Sequence, residues 1–192
     1  MTSALSGALP RDWGASPCLD LINSRWHDHL GAGRFYDRLP ETLFRRAFLS
    51  RWNYRVANPD DAGAQAKLRS LRRLLRAVLE HYMSGRPLSR SMKASLETEI
   101  NRAGVSLRLS GDSGRYSLAV QRSGADWDIV TSDIATAAAR LMSERASVKV
   151  CANPDCSWMF MDETKARMRR WCNVSVCGSL VNVRRHRAQR RG

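Results

Sequence analysis

Residues 151 to 178 read CANPDCSWMFMDETKARMRRWCNVSVCG and hold four of the chain's five cysteines. The cysteines form two close pairs, Cys151-x4-Cys156 and Cys172-x4-Cys177, separated by fifteen residues. Two close pairs joined by a loop let four thiolates converge tetrahedrally, the coordination that zinc prefers at structural sites. We therefore predict one structural Zn²⁺ with four protein ligands and no open position for catalysis. Four buried cysteines without a metal are the alternative, because cysteine also packs as a small hydrophobe.

The fifth cysteine, Cys18, lies far from this cluster and is predicted to be a free thiol. No stretch approaches the roughly 20 apolar residues of a membrane span. The start of the chain, MTSALSGALPRDW, lacks the charged and apolar segments of a secretory signal. We therefore expect a cytoplasmic protein without membrane contact, since a reducing compartment favours metal-binding cysteines over disulfides.

The positive charge of the chain is concentrated at its end. The 192 residues carry a formal net charge of +14 with a pI near 10.7. No acidic residue follows Glu163, whereas nine cations do: Lys165, Arg167, Arg169, Arg170, Arg184, Arg185, Arg187, Arg190 and Arg191. A run of like charges repels itself unless an anion neutralises it, so we predict that these side chains contact nucleic-acid phosphates. A solvated charged helix is the alternative, and the residues do not distinguish DNA from RNA.

Helical periodicity dominates the chain before residue 148. A helix is predicted from Pro59 to Ser84, with Asn58 as its cap and a buried stripe of Leu68, Leu71, Leu75, Val78 and Tyr82. Its remaining faces are predicted to carry Arg69, Arg72, Arg73 and Arg76. Further helices are predicted after Ser89, from about Asp126 to Arg145, and around Leu43, Ala47 and Phe48.

The segment from Val105 to Gln121 has the alternating pattern of a β-hairpin around the turn sequence Gly111-Asp112-Ser113-Gly114. The expected fold class is therefore mainly α with a small β-hairpin. We predict an orthogonal helical domain over residues 1–147, followed by a four-cysteine zinc-finger module over residues 148–192 that ends in a basic helix.

Two motifs make the chain resemble a known family. The C-terminal motif combines the cysteine pairs with Trp158-x-Phe160-x-Asp162, Arg169-Arg170-Trp171-Cys172 and Cys177-Gly178, and it resembles the CGNR zinc finger. The N-terminal motif, Leu19-Asp20-Leu21-Ile22-Asn23-Ser24, resembles the signature of the helical domain that accompanies this finger. Ser179-Leu180 stand where the family name has Asn-Arg, which leaves the function of that pair open here.

The resemblance implies a bacterial, stress-induced transcription regulator with a DNA-binding zinc finger. Such a protein is expected to be a nucleic-acid binder and not an enzyme. The sequence accordingly shows no nucleophile elbow, phosphate-binding glycine loop or dinucleotide fingerprint. A module that senses a small-molecule effector or binds a protein is the alternative for residues 1–147, and homo-oligomerisation is left open.

Several residues allow both a functional and a structural interpretation. Trp158 and Trp171 suit the core of a small module better than base stacking. His27-Asp28-His29 lacks a third partner and is interpreted as a surface cluster, while Asp20 and Asn23 are explained as well by hydrogen bonding as by ligand binding.

The loop between the cysteine pairs is predicted to contain a short strand at 157–162 and a basic helical turn at 165–171. Four thiolates around one Zn²⁺ leave a net charge of −2, and Arg169, Arg170 and Lys165 are candidates to offset it.

Overall fold

The computed structural model describes residues 15–27 and 35–190. The helices within these ranges are α1 (Pro17–Asn23), α2 (Thr42–Arg51), α3 (Ala62–Met83), α4 (Arg90–Ile100), α5 (Asp126–Ser143) and α6 (Ser179–Gln189), with a π-helical segment at Val174–Gly178. The strands are β1 (Arg25–His27), β2 (Phe35–Asp37), β3 (Gly104–Asp112), β4 (Arg115–Ser123), β5 (Val148–Val150) and β6 (Met159–Met161). Consecutive strands pair antiparallel as β1–β2, β3–β4 and β5–β6. The predicted class, mainly α with a β-hairpin and a C-terminal four-cysteine module, is confirmed.

The core forms where α1, α3 and α5 meet. Every residue of α1 is buried, and α3 contributes the stripe that its period of three and four predicts, including Leu68, Leu71, Leu75 and Val78. The α5 face that includes Val130, Ile134 and Ala138 closes this core. Among the described residues, no helix is long and apolar enough to cross a membrane.

Two helix details differ from expectation. The predicted cap of α3 was Asn58, but the helix begins three residues later because the Asp61 carboxylate accepts a hydrogen bond from the N–H of Ala64 at 2.5 Å. Asn58 instead accepts from the N–H of Asp60. In α2, Leu43 was predicted on the apolar face, but it is 73% exposed and Phe44 is buried in its place.

The prediction that Arg72 lies on a solvent face of α3 is wrong. Arg72 is only 6% exposed, and its guanidinium donates to both oxygens of Asp37 at 2.7 and 2.6 Å and to the hydroxyl of Ser24 at 2.7 Å. Burial opposes ionisation of Asp37, but the hydrogen bonds and charge of Arg72 outweigh it and lower the pKa of the carboxyl group. A buried arginine is thus tolerated because its charge is paired.

The β3–β4 hairpin matches the predicted turn. Ser113 and Gly114 form its two-residue loop with φ of 50° and 82°, the left-handed backbone that favoured hairpin turns require. Nearly all residues of both strands are exposed, so the hairpin extends from the helical body as a two-stranded ribbon.

The two parts of the chain are joined by the side chain of Asn23. Its Nδ2 donates to the carbonyl of Met159 at 2.8 Å, and its Oδ1 accepts from the N–H of Met159 at 2.8 Å. The Asn23 amide therefore pairs with both backbone groups of Met159, as the backbone of a neighbouring strand would. Met159 is fully buried and belongs, with Val148, to the core formed by the helices. The β5–β6 hairpin is thus packed into the helical body.

Replacing Asn23 by alanine is expected to destabilise the whole protein. Both buried backbone groups of Met159 would lose their partner, at about 1–3 kcal/mol each, so the free energy of unfolding should fall by about 2–6 kcal/mol. Urea unfolding followed by circular dichroism measures the loss. Asn182→Ala, at an exposed position of α6, is the control and should change stability little. An Asn23→Ala protein as stable as the control would contradict this role.

Candidate metal centre and basic surface

The β5–β6 hairpin and the segments around it bring the four predicted cysteines together. Cys151 directly follows β5, Cys156 precedes β6, and Cys177 lies in the π-helical segment. The four Sγ atoms lie within 4.8 Å of one another. Sγ of Cys172 is 3.7 Å from Sγ of Cys156 and 3.6 Å from Sγ of Cys177. The cysteines therefore form one compact cluster of sulfur atoms.

The sulfur spacing fits zinc. A tetrahedron with Zn–S bonds of about 2.3 Å has S–S edges of about 3.8 Å. The measured separations of 3.6 and 3.7 Å match that edge, and all four cysteines are free, not disulfide-bonded. The cluster thus has the number, type and spacing of ligands of a structural zinc site.

Nearby N–H groups are placed to stabilise thiolates. The N–H of Cys172 donates to Sγ of Cys151 at 3.5 Å. Asn153 is 1% exposed, and its Nδ2 makes no well-formed hydrogen bond among the described residues. The Cys151 sulfur opposes ionisation of Cys177, but the Cys156 and Cys172 sulfurs, with a smaller contribution from the Asn153 amide, lower the pKa of Cys177. A metal-bound thiolate of Cys177 would supply the acceptor that this buried amide needs.

Crowding of the sulfurs also opposes their full ionisation. Hydrogen bonding with the Cys151, Cys156 and Cys177 sulfurs raises the pKa of the Cys172 thiol. Four thiolates can occupy this space together only if a cation balances them, which is the chemistry that Zn²⁺ supplies.

Aromatic rings enclose the cluster. Phe160 is buried against Cys151, Cys156 and Cys177, and the partly buried Trp158 and Trp171 pack on the same group. A Cβ atom on Gly178 would lie 3.1 Å from Cδ1 of Trp171, so the ring rests directly on this glycine. The structure confirms the prediction that both tryptophans pack the core of the module.

The loop after β6 is organised by Asp162 and Lys149. The buried Asp162 carboxylate accepts from the N–H and hydroxyl of Thr164 at 3.1 and 2.6 Å and from the N–H of Arg169 at 2.8 Å. Nζ of Lys149 donates to Asp162 at 2.6 Å and also contacts the carbonyl of Arg167. These bonds, with that from Lys149 foremost, lower the pKa of Asp162.

The basic helical turn predicted at 165–171 is therefore wrong. Only Lys165 and Ala166 form a turn, and Arg167 has a φ of 48°. The helix does not continue because Asp162 and Lys149 bind the backbone groups of Arg167 and Arg169 that its hydrogen bonds would require. The strand predicted at 157–162 is present as β6, Met159–Met161.

The nine predicted cations fall into three groups. Those with exposed side chains and no side-chain partner among residues 15–27 and 35–190 are Lys165, Arg167, Arg185, Arg187 and Arg190. Two are exposed but engaged: Arg170 lies 5.3 Å from the ring centroid of Trp171, and Arg184 pairs with Asp155. Arg169 points inward, and Arg191 lies outside the described residues.

Arg169 is partly buried beside the sulfur cluster. Its guanidinium lies 4.7 Å from the centroid of Phe160, and it donates to the carbonyls of Trp171 and Cys172. A cation in this position would offset the negative charge of metal-bound thiolates, so the hypothesis drawn from the sequence stays a prediction for Arg169.

Helix α6, which carries most of the exposed cations, has no buried residue. It continues from the π-helical segment, whose cap is the side chain of Asn173 accepting from the N–H of Val176 at 3.1 Å. Arg184 links the helix to Asp155, which lies between the first two cysteines. The helix is thus held over its first half, as far as Arg184, and is surrounded by solvent beyond it.

The other sequence candidates have structural roles where they are described. Asp20 accepts from the indole of Trp52 at 2.9 Å, and the His27 ring packs on Phe35 with centroids 3.8 Å apart. Asp28 and His29 lie outside the described residues. Cys18 is fully buried, and burial raises its pKa to about 11, so its thiol stays protonated at neutral pH.

Sequence reasoning missed Asn153, Lys149 and Asp155 as parts of this site. Asn153 and Asp155 lie inside the first cysteine pair, and this position between two ligands was the available signal for both. Lys149 carries no comparable signal, because its partner Asp162 lies 13 residues away.

Protein purified without added metal is expected to contain one zinc ion per chain, since four thiolates complete one tetrahedral site. Elemental analysis of reduced protein measures the ratio. Cys172→Ser should lose the metal, whereas Cys18→Ala, at the buried thiol outside the cluster, should retain it. Metal-free native protein, or equal zinc content in both variants, would contradict the assignment of these ligands.

Comparison with protein families covers nearly the whole described chain. The CGNR zinc finger matches residues 147–190, and the ABATE family, described as "putative stress-induced transcription regulator", matches residues 15–145. No curated protein matches the chain. The resemblance inferred from the sequence motifs is confirmed, and neither family description names a catalytic activity. Because the ABATE match alone spans more than half of its residues, the chain belongs to the ABATE family and carries a C-terminal CGNR zinc finger.

Proposed function

We propose that this protein is a cytoplasmic transcription regulator that binds DNA through its zinc-finger module. The observation that carries the proposal is the group of five exposed, unpaired cations in the loop after β6 and in helix α6 with its C-cap residue. Phosphate groups are the abundant polyanions that such a surface attracts.

Helix α6 has suitable dimensions for a DNA groove. Its 11 residues extend about 16 Å at 1.5 Å per residue, and the DNA major groove, about 12 Å wide, admits an α-helix. Arg185 and Arg187 are 200° apart around the helix axis at about 100° per residue, so they can reach phosphates on both sides of a groove. A helix with one face packed against the protein could not direct cations to both sides of a groove.

The loop after β6 supplies a second contact. Lys165 and Arg167 are exposed beside Met168, which is 77% exposed. The backbone of this loop is held by Asp162 and Lys149, so its cations are presented by a preorganised segment. We assign Lys165, Arg167, Arg170 and the arginines of α6 to phosphate contact. Arg169 is assigned instead to stabilising the metal cluster.

The acidic residues of the module do not cancel this surface. Asp162 is paired with Lys149 inside the module, and Asp155 is paired with Arg184. Glu163 is the exposed carboxylate that remains between residues 148 and 190. The module thus presents an excess of free positive charge to solvent.

In this proposal Zn²⁺ is structural, bound by Cys151, Cys156, Cys172 and Cys177. It crosslinks the β5–β6 hairpin to the π-helical segment from which α6 begins. The four protein ligands leave no position for a reactive water, so the proposed role is regulatory and not catalytic.

A cavity in the N-terminal part suggests where a small effector would bind. It is an open depression of about 370 Å³, within the volume range of ligand sites, and its lining comprises Tyr54, Val120, Arg122, Ile129, Asp133 and Arg140. Asp133 accepts from Tyr54 at 2.6 Å and lies 3.5 Å from Arg122. The charge of Arg140 therefore remains unbalanced among the described residues. This favours a small molecule with a carboxylate group.

A panel of small aliphatic and aromatic carboxylates is expected to contain compounds that raise the melting temperature of the protein. Arg140→Ala should abolish the shift, because it removes the unpaired cation, whereas Arg69→Ala should preserve it. The measurement is thermal unfolding with and without each compound. The same shifts in both variants would exclude binding at this cavity.

DNA binding is expected to depend steeply on salt. If about six cations engage phosphates, log K should fall with log salt at a slope near −5, because each contact releases condensed counterion. Replacing Arg185, Arg187 and Arg190 together by alanine should reduce the magnitude of that slope by about 3. Fluorescence anisotropy with duplex DNA, single-stranded DNA and RNA over a range of salt concentrations measures the slope for each nucleic acid.

The matched control replaces Arg55, Arg69 and Arg90, three exposed arginines of the N-terminal part, by alanine. It removes the same net charge and should retain most of the slope. Equal effects of the two triple variants would mean general attraction of a cationic protein to polyanions. Absence of binding at low salt would refute the proposed function. Preference for RNA would indicate an RNA-binding protein and not a DNA-binding one.

A further inference from the structure

The β3–β4 ribbon has one apolar face that nothing covers within the described part of the chain. The register pairs Leu107 with Val120 and Leu109 with Leu118, and directly paired residues lie on the same face of a sheet. The six large apolar side chains of this face are between 54% and 65% exposed: Val105, Leu107, Leu109, Tyr116, Leu118 and Val120.

The opposite face of the ribbon is polar. Its residues include Ser106, Arg108, Ser110 and Ser117, and the last two share a hydrogen bond of 3.0 Å. The alternation is therefore that of a sheet with one side against solvent and one side against a core. Here the second side has no core beneath it.

An isolated two-stranded ribbon is at best marginally stable in water. A large apolar residue that is a little over half exposed leaves about 100 Å² accessible to water, so the six together leave about 600 Å² per chain. This exceeds the patch of about 400 Å² that signals an interaction site on a soluble domain. The size of the apolar face therefore indicates that another surface packs against it.

We propose that the partner is a second copy of this chain, which packs its own β3–β4 ribbon against the same face. Two such faces together would bury about 1,200 Å², above the 1,000 Å² or so that a specific interface requires. A two-fold axis pairs the surface with itself, so each apolar side chain meets another apolar side chain.

The distribution of charge favours self-association at this surface. Chains with a net charge of +14 repel one another, but the six apolar residues of this face carry no charge. Arg122, at the base of the same face, is held by the hydroxyls of Ser132 and Thr136 at 2.7 Å each and does not project from it. Nucleic acid or an acidic protein would find no charge to pair with here.

Both strands are also sheet edges. Among the described residues β3 and β4 pair only with each other, so no third strand hinders the approach of a second ribbon to the apolar face. Dimerisation would place two basic α6 helices in one particle, which suits binding to two-fold symmetric DNA sites. The dimer does not depend on DNA binding, and either can be tested without the other.

Sedimentation equilibrium of the full chain over a range of micromolar concentrations tests the proposal. The monomer mass is 21.7 kDa, and a reversible dimer of twice that mass is expected. Leu107→Glu combined with Leu118→Glu would bury four carboxylates in the interface and should weaken dimerisation at least a hundredfold. Ser106→Glu combined with Ser117→Glu, on the polar face of the same strands, is the matched control and should dimerise normally.

Hydrogen exchange provides a second readout that needs no substitution. Amides of β3 and β4 should become less protected on dilution of the wild-type protein, while amides of α3 should not. Unchanged circular dichroism and zinc content would show that the variants are folded. A wild-type protein that is monomeric throughout, or a dimer equally strong in both double variants, would overturn the proposal.

Discussion

The paired hydrogen bonds between Asn23 and Met159 determine how the rest of the molecule is arranged. A primary amide offers a donor and an acceptor side by side, as the backbone of a neighbouring strand does. The Asn23 side chain can therefore pair with the outer edge of β6 where no third strand is present. Around this contact Met159 and Val148 fill the core of the helical part, and Arg76 of α3 donates to the carbonyl of Ser157 at 3.0 Å. The zinc module is consequently part of the same packed body as α1 and α3, although the family matches divide the chain near residue 146.

A second organising feature is the separation of paired and unpaired charge. Inside the molecule each buried ionic group has a specific partner, as in Arg72 with Asp37 and Lys149 with Asp162, because an unpaired buried charge is costly. Most cations of the loop after β6 and of α6 have no such partner, so the C-terminal module presents a strongly basic surface.

The sequence predicts those features that depend on local spacing. Cysteine spacing identifies the sulfur cluster, and a period of three and four residues identifies α3, as alternation identifies the β3–β4 hairpin. Features that depend on distant partners were not predictable in the same way. The sequence places Arg72 on an exposed face of α3, because nothing in it shows that Asp37 lies opposite. It likewise predicts a helical turn at 165–171, because nothing in it shows that Asp162 and Lys149 bind the backbone there. The role of Asn23 required knowledge of a contact 136 residues away.

The attachment of α6 has a mechanical consequence. The helix begins directly after the π-helical segment that holds Cys177, and beyond its base it is surrounded by solvent. A change in the direction of the helix axis at Cys177, a cysteine of the sulfur cluster, would therefore displace the far end of α6 the most. Over its length of about 16 Å, a rotation of about 10° at Cys177 moves its far end by about 3 Å. Such a displacement is comparable to the length of a hydrogen bond, so the arrangement of the sulfur atoms would determine the position of the last arginines of the helix.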